Sequence, residues 1–337
     1  MSGIGHFHSH SDGQHTHHDH THGATDPALL TTERGIWAVK WSFIGLTVTA
    51  IFQLIIVFFS GSVALLADTI HNIADAGTAI PLWIAFTLAR RPPSRRFTYG
   101  YGRVEDVAGV VIVLTISISA VLAGYESIAR LFHPQSVEHL WAVAVASVIG
   151  FAGNELVAVF RIRVGKQINS AALVADGQHA RVDGLTSLGV LFSAVGVWLG
   201  YPQADPTIGL IITVSILPIV WGSTKAIFTR LLDGVDPEVT DEIVHAINHM
   251  QGVREVTEVR LRWSGHRLQA EINLAVSPKL SVAEGHTIAV AVRHQLLHNL
   301  TYLGNVTIHI DPEHLSGEAH HSINEHQHDE YATHSHN

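Results

Sequence analysis

Two stretches of the chain carry the same polar constellation inside apolar sequence. Ala64 to Asp75 reads ALLADTIHNIAD and Ala172 to Asp183 reads ALVADGQHARVD, both following A-L-x-A-D-x-x-H-x-x-x-D. At four-residue spacing, His71 and Asp75 fall one turn apart on one helix face, and His179 and Asp183 do the same. Two such helices packed face to face offer two imidazole nitrogens and two carboxylates, enough for a tetrahedral Zn²⁺ site. Each stretch is apolar enough to lie in a bilayer, where such groups are costly and by default mark an ion path or a binding site. The chain has no cysteine, so disulfides and thiolate ligands are excluded. Imidazole with carboxylate suits Zn²⁺ and neighbouring divalent ions better than Cu(I).

The plain alternative for these four residues is polar hydrogen bonding between helices; the duplication and the cost of burial weigh against it. Asp68 and Asp176 each precede their histidine by three residues. Each lies about 10.5 Å of helical rise from the second Asp of its motif, too far for both carboxylates to hold one ion simply. Two readings stand for them: support behind the ligands or a proton relay, or a solvated position near a cavity. Arg181 points off the ligand face and requires a partner or a route to the headgroups. Asn154 and Glu155, also in apolar sequence, read either as an interhelical hydrogen bond or kink, or as cavity lining.

Long apolar elements must position these groups. With 47% hydrophobic and only 15% charged residues, a chain of 337 residues reads as a membrane protein, not as two soluble domains. Apolar segments at roughly 36–59, 62–88, 107–132, 138–162, 172–200 and 207–230 each reach the ~20 residues that cross a hydrocarbon core as helix. The first lacks a basic leader and a small-residue cleavage site, so it reads as a retained helix. Arg90, Arg91, Arg95, Arg96 and Arg103 fall between spans two and three, and Arg161, Arg163 and Lys166 between spans four and five. The positive-inside rule puts these loops, and with six spans both termini, in the cytoplasm. A net charge of −9 without a basic stripe outside the membrane-flanking loops argues against a nucleic-acid partner.

Histidine is abundant, 26 in all, with eight in the first 22 residues and seven from His314 to the end. Both tails, 1–30 and 314–337, are low-complexity and polar, and are expected to be disordered with weak, exchangeable metal binding. Between 31–232, the membrane domain, and the second tail lies a soluble region at 233–313. Pro237–Met250 has helical spacing, Val253–Trp263 and Leu268–Val276 alternate as strands, Ser281–Leu300 is a helix, and Asn305–Asp311 is a strand. Ser281 and Glu284 form a capping-box signature. The order αββαβ predicts a small α+β domain, ferredoxin-like or metallochaperone-like, with helices on one face of a sheet. Strand parity sends Leu268, Ala270, Ile272, Leu274 and Val276 inward and Glu271 outward; it places His309 and Asp311 together on the polar face.

The duplicated H-x-x-x-D pairs on spans two and five, the YGYGRVED segment at 99–106, and the tail of the αββαβ unit, VTIHIDP at 306–312, together resemble the cation diffusion facilitator family over about residues 36–313. The resemblance implies a homodimeric exporter of divalent metal, Zn²⁺ foremost, exchanged for protons by alternating access; the short loops point to a bacterial inner membrane. It implies a transport site of His71, Asp75, His179 and Asp183. It also implies a regulatory metal at His286, His309 and Asp311, with Thr257 and Glu271 standing where a second metal's histidines would be. Phe97 and Tyr101 stand where many bacterial members carry loop histidines, so that extra site is expected to be absent. Arg103 matches a basic position that pairs in relatives with an acid at the end of span six, here Asp233, an ion pair that would hold the two membrane halves of a dimer near the cytoplasmic surface. No organic cofactor is implied.

Two other classes of protein could use such residues. A metal-dependent hydrolase would need an open coordination position and a general base, yet no H-E-x-x-H occurs. An enzyme is therefore not expected, and the absence of G-x-x-x-x-G-K-[ST] disfavours a primary pump. A membrane-bound sensor or scaffold that binds metal without moving it stays open on sequence alone.

Overall fold

The computed structural model describes residues 27–60, 69, 73, 77–132, 139–201 and 203–314. Both histidine-rich tails lie largely outside that set. The described helices are α1 (Pro27–Ser60), α2 (Ala79–Ala89), α3 (Arg103–Phe132), α4 (Leu140–Gln167), α5 (Ala171–Trp198) and α6 (Ala204–Leu231). They are followed by α7 (Pro237–Asn248), β1 (Val253–Ser264), β2 (Arg267–Val276), α8 (Val282–Asn299) and β3 (Leu303–Pro312).

Five helices, α1 and α3 to α6, are long and apolar enough to cross a membrane, and α2 is a shorter apolar helix of 11 residues. At 1.5 Å per residue, even 28 residues reach about 42 Å, beyond the hydrocarbon thickness of ~30 Å. The bundle buries Leu82, Phe86, Ile112, Ile116, Leu173 and Ile216 while Phe58, Leu156, Trp198 and Trp221 face outward. So much exposed apolar surface belongs against lipid. One span boundary differs from expectation. Arg161, Arg163 and Lys166, read from sequence as loop charges, lie on α4, which continues to Gln167. Arg161 can stay helical because it turns inward to a partner and is buried.

The αββαβ domain follows the predicted order. Asp236 caps α7 by accepting from Glu238 N, with Pro237 in the first turn. Ser281 and Glu284 close a reciprocal capping box on α8. The sheet order is β1-β2-β3, with β1/β2 antiparallel and β2/β3 parallel. The parallel step requires a crossover, which α8 supplies. Ile243 and Ile247 of α7 and Val292 and Leu296 of α8 pack on Leu268, Ala270, Ile272, Leu274 and Val306. The inward set predicted for β2 is buried and Glu271 is exposed.

Candidate metal site and the contacts that hold it

Helix α5 begins at a defined point. Ser170 is its N-cap, its hydroxyl accepting from Leu173 N at 3.1 Å. Counting from that cap, Asp176, His179 and Asp183 come round on one side of the helix at successive turns. His179 is buried and Asp183 nearly so, with His179 Nδ1 3.7 Å from Asp183 Oδ1. The imidazole and carboxylate expected to share an ion are thus adjacent inside the bundle. Their counterparts His71 and Asp75, and Asp68 with them, lie outside the described residues.

Asp176 is not in the solvated position that one reading of it allowed. It is fully buried, its Oδ2 is 2.9 Å from Arg161 Nη1, and Thr78 Oγ1 donates to its Oδ1 at 3.3 Å. Arg161 is equally buried. Gly177 lets the helices come this close: a Cβ there would stand 2.7 Å from Ile162 Cγ1 and 3.0 Å from Arg161 Cβ. Asp176 therefore has a protein cation beside it, while His179 and Asp183 have each other. Arg181, whose partner sequence did not supply, makes a two-pronged ion pair with Glu155 on α4, at 2.7 and 3.2 Å. Each member answers the other's presence in an apolar span.

In the αββαβ domain, His309 Nε2 lies 2.9 Å from Asp311 Oδ1. The pair was expected on an open polar face; His309 is 53% exposed, but Asp311 only 5%. Just beyond β3, Glu313 N donates to Val276 O at 2.7 Å and continues the pairing with β2. A cavity of about 390 Å³ is lined by His286, His309 and Asp311 together with Ser281 and Pro312. The Glu284 carboxyl is held below its ordinary pKa by the Ser281 backbone N–H, with the Ser281 hydroxyl adding to the effect. Among the described residues, no three His, Asp or Glu side chains converge closely enough to hold a metal. Thr257 donates to Asn273 O at 3.3 Å, and the Phe97 and Tyr101 rings pack 5.0 Å apart.

The largest feature not found from sequence joins the two domains. The β1–β2 turn enters the end of the bundle, where Glu105 and His266 are both buried. Glu105 Oε2 takes the His266 backbone N–H at 3.2 Å and lies 2.7 Å from His266 Nδ1; its Oε1 accepts from Ser170 Oγ at 2.6 Å. With Nδ1–H donating to the carboxylate, Nε2 accepts from the Thr32 hydroxyl at 3.0 Å. Gly265 N donates to Asp106 Oδ2 at 3.2 Å. Gly265 has φ +61°, and a Cβ there would meet Glu105 Oε2 at 2.7 Å, so the turn requires glycine twice over. Arg230, at the end of α6, donates to Asn169 O and Gly265 O and lies over the Trp263 ring at 4.3 Å. Arg103 pairs with Asp233 within the one chain, tying the start of α3 to the second residue after α6. A continuous path therefore runs from the hairpin turn through Glu105 to Ser170, the cap of the helix carrying His179. His266→Ala removes a bond to a charged group worth ~1.5–3 kcal/mol, so exchange of the Gly265 amide should quicken about 10- to 100-fold. Hydrogen–deuterium exchange of the full chain reads this, and an unchanged rate would mean the turn is held without His266.

Ionisable side chains buried on bilayer-length helices, clasped at one end by a small α+β domain, define an integral membrane protein that handles ions. Comparison with known proteins narrows the class. Residues 39–232 match the cation efflux transmembrane domain, and residues 235–313 match the cation efflux protein cytoplasmic domain. A probable cation efflux system protein of Mycobacterium tuberculosis (strain ATCC 25618 / H37Rv) is 52% identical over 315 residues, covering 91% of this chain and 95% of the relative. A cadmium, cobalt and zinc/H(+)-K(+) antiporter of Bacillus subtilis (strain 168) is 28% identical over 300 residues, covering 88% and 92%. The manganese efflux system protein MneP of the same organism is 26% identical over 294 residues, covering 84% and 99%. The chain belongs to the cation efflux family, also called cation diffusion facilitators; it is a membrane transporter of metal cations.

Proposed function

We propose that this transporter exports divalent metal, Zn²⁺ foremost, in exchange for protons, as a homodimer in a bacterial inner membrane with both termini in the cytoplasm. The transport site of this reading is His71, Asp75, His179 and Asp183. One observation carries it: Asp176 is already paired with Arg161, which leaves His179 and Asp183, 3.7 Å apart and screened from water, as the ligands α5 can give an ion. Two imidazoles and two carboxylates suit tetrahedral Zn²⁺ better than Mn²⁺, which prefers oxygen donors. Exchange follows from the ligands themselves. Metal requires neutral imidazole and ionised carboxylate, so its arrival displaces protons, and protons returning from the other side expel it.

The same reading gives His309 and Asp311, with His286 lining the same cavity, to one regulatory Zn²⁺. The path from the β1–β2 turn to Ser170 offers a way for a change in the cytoplasmic domain to reach α5.

The test is ⁶⁵Zn²⁺ uptake into proteoliposomes with an acidic lumen, before and after the gradient is collapsed. Uptake is expected only while the gradient stands, and excess unlabelled Zn²⁺ should compete better than Mn²⁺. Uptake that ignores the gradient would remove proton exchange from the reading. Tight binding with no uptake by folded, oriented protein would replace the transporter with a scaffold.

A further inference from the structure

Four histidines unused by the transport reading sit on the helical layer of the cytoplasmic domain, arranged as two pairs. His245 and His249 stand one turn apart at the end of α7, their ring centroids 4.7 Å apart. His294 and His298 repeat the arrangement in the last turns of α8, at 5.0 Å. All four are exposed. The same helices send Ile243, Ile247, Val292 and Leu296 into the core, and the helical period then turns the histidines outward on both.

Three physical points converge on these pairs. Four-residue spacing is the one at which two helical histidines grip a single Zn²⁺ in H-E-x-x-H. The last turn of a helix carries unsatisfied carbonyls and partial negative charge, which favours a cation there. Two histidines at this spacing repel each other when protonated, a cost with no structural return in either helix. The nearby charge is modest. Asp241 precedes His245 by a turn, and Glu242 is occupied by the Tyr302 hydroxyl, donating at 2.7 Å. Burial, and then that carboxylate, raise the Tyr302 pKa above its ordinary value. Arg293, beside His294, is exposed on α8.

We propose that His245–His249 and His294–His298 are two separate two-imidazole sites for a borderline divalent cation of the Zn²⁺ class. Water completes the coordination sphere, since no third His, Asp or Glu converges on either pair among the described residues. A two-ligand site open to solvent releases its ion readily. It gives the cytoplasmic domain exchangeable capacity on its outer face, away from the His309–Asp311 cavity. The chemistry does not depend on whether the chain moves the ion, so this proposal and the transport reading stand or fall separately.

The test is residue-resolved carbethoxylation of the full-length protein in nanodiscs, read by peptide mass spectrometry, so that the histidines of the tails are scored apart from these four. Zn²⁺ should slow modification of both members of each pair several-fold, and Mg²⁺ should not. In His245→Ala, His249 should react in Zn²⁺ at its metal-free rate while His294 and His298 stay protected. His298→Ala should do the converse. Alanine at these exposed helical positions is well tolerated. No protection in the wild type, equal protection by Mg²⁺, or His249 still protected in His245→Ala would each overturn the proposal.

Discussion

Alanine at His179 is expected to lower Zn²⁺ uptake by at least about 100-fold. Loss of a group merely supporting a ligand costs ~10–100-fold in affinity or activity, and a ligand itself should cost no less. His179 is buried one turn from Asp183. Asp183→Asn should fall nearly as far, because the amide keeps the shape but neither binds Zn²⁺ as an anion nor carries a proton. Both variants should elute as the wild-type species and melt close to it. A folded His179→Ala protein transporting at the wild-type rate would remove α5 from the site.

Arg161→Met is expected to be the most damaging change to stability. It strands Asp176 as an uncompensated buried carboxylate, and breaking such a pair costs ~3–5 kcal/mol. In a membrane domain of this size that amounts to a fall in melting temperature on the order of 10 °C. The double variant Arg161→Met with Asp176→Leu should recover most of it, since apolar replacement of a whole buried pair is often neutral. Thermal unfolding in detergent, followed through the seven tryptophans of the chain, measures both. A single variant as stable as the wild type would show that the pair is solvated.

The parts of this architecture legible in the sequence are those written in local pattern. Apolar length announced α1 and α3 to α6, and period-2 alternation gave the buried face of β2. The S-x-x-E signature placed the start of α8 at its true cap. Misreadings arose where a distant partner overrides the local rule. Arg161 looked like a loop charge because sequence could not show Asp176 waiting on α5. Asp311 was placed with His309 on a polar face, because parity tells which side of the sheet a residue takes and not how deeply it is buried there. Glu105 and His266 gave no joint signal at all: an acid opening a helix reads as an ordinary complement to the dipole, and a histidine in a tight turn reads as surface. Within the proposed transport site the spacing of His179 and Asp183 was readable, but not that Asp176 pairs with Arg161.

The Glu105–His266 contact spans 161 residues, and that separation orders the birth of the molecule. When α3 enters the bilayer during synthesis, the residue that will cover its first turn has not been made. Ser170 arrives earlier and supplies one bond. The imidazole follows only after every apolar helix has left the ribosome. The mouth of the bundle therefore closes last, sealed by a soluble turn, and a chain interrupted before residue 266 would leave the membrane domain inserted but unfinished.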